Sequence, residues 1–435
     1  MHTRSLTAAV VMLLAVVALP LAQPTGQIEQ TGTSRRIEQL KREVASGASG
    51  VTDRFWTALS REHGPIVEPV PGDSSRVLVT LVWRGDKNTR AVQAAGMDLQ
   101  PIADTDVWYV TFTMASDHRL AYTFKPQGSD PNASPVAAPD PLNPHRFQPP
   151  IASQRPAAAI DPQSPYMNSS IVVLPNAPAS PWVDPQPGVP AGTVEERTYD
   201  SEIYGGPRRI WIYTPPNSTP TGLLICLWGQ NYLNEIPVPT ILDNLLQQKR
   251  LPPLMAVFVD NEGDRFQNIQ NTARFTASLS TELLPWLRTT LHAPTDPKQV
   301  IVTGYSAAGL ASAYIVYKHP ELFGNVLSQS GAYWRAFEGE GASDTEWISR
   351  QFAATTKRET VFYLDVGGGE TRETPGGLSI LDANQHLRDV LTAKGYTLRY
   401  DEVRGGEHEF VHWRSVFADG LLYLTTRWSA PATGG

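Results

Sequence analysis

A β-branched run, Val300 to Thr303, drives straight into Gly304-Tyr305-Ser306, and a helix-prone stretch from Leu310 to Lys318 follows at once. That spacing spells strand, sharp turn and helix, with a serine at the turn. Such a turn is strained, so small residues must flank it. It lifts the serine hydroxyl clear of the sheet edge and aims the next helix N-terminus beside it. Ser306 is therefore a candidate nucleophile. Its bland alternative is an ordinary helix N-cap. The pattern carries Ala308 where a glycine is usual, and Gly309 follows it.

The surrounding sequence alternates strand and helix from about residue 196 to 430. Strands are expected at Arg208–Thr214, Leu223–Trp228, Leu254–Asp260, Gly324–Ser328, Thr360–Val366 and Leu398–Val403. Helices are expected at Pro239–Gln248, Ala277–Thr290 and Leu378–Lys394. This alternation predicts an α/β domain with a mostly parallel sheet and helices on both faces. Ligands bind such sheets at the carboxyl ends of the strands, where Ser306 falls.

The N-terminal half reads differently. Arg4 precedes an apolar run, Leu6 to Leu21, that Pro20 interrupts, with Ala22 and Gln23 behind it. This is the pattern of a cleaved signal peptide over residues 1–22, with an uncleaved anchor as the alternative, and it predicts a periplasmic or secreted protein. A short helix is expected at Ser34–Val44. Alternating strands at Arg76–Trp83, Val107–Met114 and Arg119–Phe124 predict an antiparallel β-sandwich over residues 45–130, with Trp83 and Trp108 in its core. Prolines cluster between residues 126 and 220, which predicts a Pro-rich linker at 131–195. A chain of 435 residues also exceeds what one core organises. The net charge is −7 with no long basic run, so nucleic acid is not an expected partner. No later segment is apolar enough for stable membrane insertion. The lone Cys226 lies in an apolar strand and reads as a buried structural thiol. No metal-ligand spacing, P-loop or dinucleotide fingerprint is present, so no cofactor is expected.

A serine hydroxyl needs a base, an acid that orients the base, and donors for the oxyanion. The base should lie late, after the last strand. His408 follows Leu398–Val403 and the loop Arg404-Gly405-Gly406-Glu407, with His412 as its rival. The acid should leave the strand before. Glu370 follows Gly367-Gly368-Gly369, with Asp382 and Asp365 as alternatives. Backbone N–H groups of Ala307 and Gln230 are the candidate oxyanion donors. Arg265, Trp334 and Trp413 are candidates for a substrate pocket, with core packing as the competing role of the aromatics.

Larger blocks carry a resemblance. The stretch Gly304-Tyr305-Ser306 to Lys318-His319-Pro320-Glu321-Leu322-Phe323-Gly324 and the block Val326 to Trp334 resemble the enterochelin (ferric enterobactin) esterase family, within the esterase D-like α/β-hydrolases. Trp228-Gly229-Gln230, Leu251-Pro252-Pro253, Val259-Asp260-Asn261, Glu282 to Pro285 and His408 with Trp413-Arg414 match as well. Val79 to Trp83, Thr105 to Trp108 and Asp140 to Pro144 are similar to the family's N-terminal immunoglobulin-like domain. The resemblance implies a serine esterase with Ser306 as nucleophile and His408 as base, acting through an acyl-enzyme on the ester bonds of a ferric catecholate siderophore. Some relatives rely little on an acid. Trp228 stands where the family often has Asp. The family's Arg-x-x-Glu-Leu pattern is Arg265-Phe266-Gln267-Asn268-Ile269 here, and Glu407 is extra. These departures and the signal peptide point towards a different ester, such as feruloyl or acetyl esters of polysaccharide. A non-catalytic binding protein on a hydrolase scaffold is the remaining alternative.

Overall fold

The topological centre of the molecule is an apolar strand, β12 (Gly222–Cys226), flanked on both sides by strands of the same kind. The computed structural model describes residues 32–428 except 131, 148–163, 165, 167–168, 261–271 and 337–344. Among them, an eight-stranded sheet runs in the order β10 (Thr193–Ser201), β11 (Gly206–Thr214), β13 (Leu254–Val259), β12, β14 (Val300–Tyr305), β15 (Asn325–Gln329), β16 (Val361–Gly367) and β17 (Thr397–Val403). β10, β11 and β13 pair antiparallel, and β13 through β17 pair parallel. β12, β13, β14 and β15 are buried at every position. Continuous Val, Ile and Leu runs form such strands because helices cover both faces of a parallel sheet.

Chain order reverses at β12, whose neighbours are β13 on one side and β14 on the other. That switch point opens a crevice at the carboxyl ends of β12 and β14. Helix α7 (Ala307–Lys318) leaves β14 there and is buried from Ala307 to Tyr317. Its close seat needs small residues. A Cβ on Gly309 would lie 2.6 Å from Ser328 Oγ, and one on Gly304 would lie 2.4 Å from the Ala308 backbone. Ala308 itself is fully buried, so its extra methyl is absorbed by packing.

The expected helix at Ala277–Thr290 is instead α5 (Thr272–Ser278), a π-helical turn at Leu279–Leu283 and α6 (Leu284–Thr290). Pro285 lies in the first turn of α6. Proline supplies no N–H and its ring crowds the carbonyl four residues back, which accounts for the wide turn before it.

The N-terminal part holds α1 (Arg35–Ala45) and α2 (Val51–Glu62) before any strand. The second helix was missed by the sequence reading. Its Val51, Phe55, Trp56 and Leu59 pack with Ile37, Leu40 and Val82 in a small core of their own. The β-region has one sheet of β1 (Ile66–Val70), β2 (Asp73–Arg84), β6 (Val107–Ala115) and β5 (Gln100–Pro101). A second contains β4 (Met97–Asp98), β3 (Ala91–Ala94) and β8 (Phe124–Gln127). Val79, Leu81, Phe112, Met114 and Phe124 form its core, with Trp83 and Trp108 only half-buried against it. The segment read as linker is not all linker. β9 (Ser170–Val173) pairs antiparallel with β7 (Arg119–Tyr122). Asp140 accepts a hydrogen bond from Tyr122 at 2.6 Å, so the proline-rich stretch is pinned to the β-domain. Residues 1–22, expected to be a signal peptide, lie outside the described residues. No helix among the described residues is long and apolar enough to cross a membrane.

Candidate active site

β14 delivers Ser306 at φ 53° and ψ −123°, a conformation that costs a non-glycine residue free energy. Neighbouring backbone holds it there. The Ser306 N–H donates to Gln329 O at 2.9 Å, and Ala332 N–H donates to Ser306 O at 2.9 Å. The hydroxyl sits half-exposed on the sheet rim. His408 Nε2 lies 3.0 Å from Ser306 Oγ, and His408 Nδ1 lies 2.6 Å from Glu370 Oε2. These three side chains come from the ends of β14, β16 and β17, far apart in sequence.

The acid and histidine loops fix one another. Gly369 N–H donates to Gly406 O at 3.0 Å, and Gly368 N–H donates to Val403 O at 2.8 Å. A Cβ on Gly367 would lie 2.4 Å from the Gly406 backbone, so only glycine allows this approach. Glu370 is buried, and its other oxygen accepts from Gly367 N–H at 2.8 Å and from the Ser330 hydroxyl at 2.5 Å. Burial pushes its carboxyl up. The His408 imidazole, with help from His412 and the Ser330 hydroxyl, outweighs that and leaves it below the ordinary carboxylate range.

The rival candidates have other partners. Asp382 closes a capping box with Ser379 at the start of α9 (Ile380–Ala393). Asp365 is buried and pairs with His412, 3.2 Å apart. Burial pushes the Asp365 carboxyl up to about 6, against the pull of His412. Gly406 packs against the His412 ring, which is buried.

Ala307 begins α7, and Gln230 lies in the first turn of α3 (Gly229–Asn234). N–H groups in a first helical turn have no intrahelical acceptor and are free to meet an oxyanion. The register aligns the two turns. Cys226 pairs with Thr303, and Leu227 N–H donates to Thr303 O at 2.9 Å.

Trp413 does not line a pocket. It is fully buried on α10 (Phe410–Thr425), a helix the sequence reading did not foresee, because its indole stacks on Tyr305 at 4.3 Å and its Nε1–H donates to Ser330 at 2.8 Å. Trp334 is half-buried after β15, with the Arg335 guanidinium 5.6 Å over its ring. Arg265 lies outside the described residues. Ser330 was missed from sequence. Its signal is the Ser328-Gln329-Ser330-Gly331 block, and the structure holds Ser330 at a left-handed φ of 46°. No metal-binding group of three or more His, Cys, Asp or Glu side chains occurs among the described residues.

Residues 201–424 match the family model described as putative esterase, and residues 71–183 match that of the enterochelin esterase N-terminal domain. The iron(III) enterobactin esterase of Escherichia coli O6:H1 (strain CFT073) is 30% identical over 75% of this chain and 81% of its own. The chain belongs to the enterochelin esterase family. It is accordingly a carboxylic ester hydrolase. The iron(III) enterobactin esterase of Dickeya dadantii is 27% identical over 94% of this chain and 98% of its own. The enterobactin esterase of Shigella flexneri, crystallised in the presence of 2,3-dihydroxy-N-benzoyl-glycine, superimposes with a TM-score of 0.65 at 26% identity, over 85% of this chain and 98% of its own. The enterochelin esterase likeness thus spans the β-domain and the α/β domain together. Ala308 and Trp228, both departures from the family pattern, are buried, so neither alters an exposed site surface.

Proposed function

We propose that this protein hydrolyses esters of catecholate siderophores through Ser306, His408 and Glu370. The observation that carries the reading is the continuous hydrogen-bond chain from Glu370 through His408 to Ser306 Oγ. His408 Nε2 takes the Ser306 proton as Oγ attacks the ester carbonyl carbon. Glu370 holds the Nδ1–H and stabilises the imidazolium that forms. The Ala307 and Gln230 N–H groups stabilise the tetrahedral oxyanion. His408 then gives its proton to the leaving alcohol, which leaves an acyl-Ser306 ester. Water attacks that ester with His408 again as base, and the free acid and enzyme are released. The names of the two relatives and of the Shigella protein support a siderophore ester as substrate.

Replacement of Ser306 by Ala is expected to lower kcat on a trilactone of dihydroxybenzoyl-serine by a factor on the order of 10⁴ or more. It should also abolish labelling by a fluorophosphonate. Undiminished turnover would end the nucleophile assignment. A panel with feruloyl and acetylated-sugar esters reads the substrate class, and faster turnover of either would overturn the siderophore reading. The apolar run Leu6 to Leu21 supports export. Sequencing the mature protein tests it, with a start near Gln23 expected and an intact Met1 contradicting cleavage.

A further inference from the structure

We propose that Tyr305 is a positioning residue for the ester hydrolysis, holding the oxyanion turn in register with the nucleophile. The inference rests on the catalytic reading above and adds a part to it. Tyr305 immediately precedes Ser306, yet its side chain points away from the hydroxyl and into the sheet's neighbouring turn. The Tyr305 hydroxyl donates to Asn231 Oδ1 at 2.8 Å. Asn231 follows Gln230, whose N–H is the second oxyanion donor.

The Asn231 amide has one orientation that satisfies both of its partners. Its Nδ2 donates to Glu235 Oε2 at 3.1 Å, so Oδ1 must be the atom that accepts from Tyr305. Glu235 is buried and is held in turn by the Ser164 hydroxyl. Asn231 also closes its own turn, with its N–H donating to Trp228 O at 3.0 Å. A shift of Asn231 therefore carries the Gln230 N–H with it. Trp228 enters that turn in a left-handed conformation, φ 59°, and its ring leans on the Tyr305 ring at 4.9 Å.

The other face of Tyr305 reaches the opposite side of the site. Its ring stacks on Trp413 with an interplanar angle of 25°. The Trp413 indole donates to Ser330, and the Ser330 hydroxyl donates to Glu370. One side chain thus joins the donor turn, the nucleophile turn and the support of the acid. Oxyanion stabilisation depends on donors aimed within a few tenths of an ångström, so a loosened donor turn costs rate while leaving ground-state binding alone.

Tyr305→Phe removes the hydroxyl and keeps the ring stack. With a p-nitrophenyl ester, kcat is expected to fall about tenfold, as for partial loss of one oxyanion donor, with KM unchanged. Affinity for a boronic acid that forms a tetrahedral adduct on Ser306 should fall in parallel, and the pH of the rising rate limb should stay where it is. Asn231→Ala breaks the same contact from the other side and serves if the tyrosine variant folds poorly. The double variant should be no worse than the more impaired single one. An unimpaired Tyr305→Phe enzyme, additive effects in the double variant, or a change confined to KM would overturn the proposal. Wild-type protein that takes no fluorophosphonate label would instead remove the catalytic reading beneath it, which separates the two failures.

Discussion

Two histidine–carboxylate pairs lie side by side at the junction of the last loop and α10, and only one of them touches Ser306. His408 and Glu370 are 2.6 Å apart, and the His408 side chain is 24% exposed. His412 and Asp365 are 3.2 Å apart and are 2% and 0% exposed. The carboxylates also differ. Glu370 gains the Gly367 N–H and the Ser330 hydroxyl and is held below its ordinary range. Asp365 keeps one oxygen without a hydrogen bond, and burial pushes it up to about 6. A histidine beside an acid is therefore a packing device as readily as a catalytic one. What distinguishes the first pair is reach: its second nitrogen meets Ser306 Oγ, while His412 Nδ1 faces the Gly406 backbone and has no hydrogen-bond partner.

The sharpest way to break this comparison is to remove each imidazole in turn. His408→Ala should lower kcat by a factor on the order of 10⁴ while the protein stays folded, because it removes the proposed base. Thermal melting and turnover of a p-nitrophenyl ester read the two effects. His412→Ala should do the reverse. It leaves Asp365 buried without its partner, which costs about 3 kcal/mol of stability, and kcat of the folded fraction should stay within about threefold of wild type. If the buried pair proves essential for turnover and the exposed pair dispensable, the assignment of roles is inverted.

The same pairs show what sequence can and cannot carry. Ser306 was legible because strand, tight turn and helix are local patterns, and β12 to β15 were legible because buried parallel strands read as unbroken apolar runs. His408 and Glu370 followed from chain order and from glycine-rich loops at the right strand ends. Choosing them over His412, Asp365 and Asp382 was open at that stage, because loop against loop is a long-range contact. The approach of Gly367 to Gly406 and the hydrogen bonds between their loops bring Glu370 to His408. Trp413 stayed open between pocket and core for the same reason. An aromatic beside a catalytic histidine has no mark that says whether it faces solvent or core, and α10 was needed to turn it inward. The α2 helix has a weak local signal, since Val51, Phe55 and Leu59 are spaced four apart but make one face only by packing on α1 and Val82. β9 was hidden by composition: four apolar-leaning residues within a proline-rich stretch make a strand only because β7 offers an edge.

The smallest expected effect sharpens the comparison most finely, because it concerns the carboxyl that faces both pairs. Glu407 is buried, and its side chain lies against Gly369, where a Cβ would come within 2.2 Å of it. Burial first, and then the charge of Glu370, push it up to about 7, while His412 and His408 pull it down. Near neutral pH it therefore gains a negative charge beside both imidazoles. A negative neighbour favours the protonated imidazole, and His408 is useful as a base only when neutral. Glu407→Gln should accordingly move the rising limb of kcat/KM to lower pH. Stability carries the matching sign. The folded-state value lies above the ordinary 4.5, so the native state holds this proton more tightly than the unfolded chain does. That contribution is complete below 4.5 and is lost as pH rises through about 7. The glutamine variant should melt with a flatter pH profile across that window. A limb shift without the flattened melting profile would assign the effect to the reacting pair alone. A flattened profile with an unmoved limb would mean that Glu407 speaks to His412 and Asp365 and not to His408, and the two pairs would then be electrostatically separate despite their shared loop.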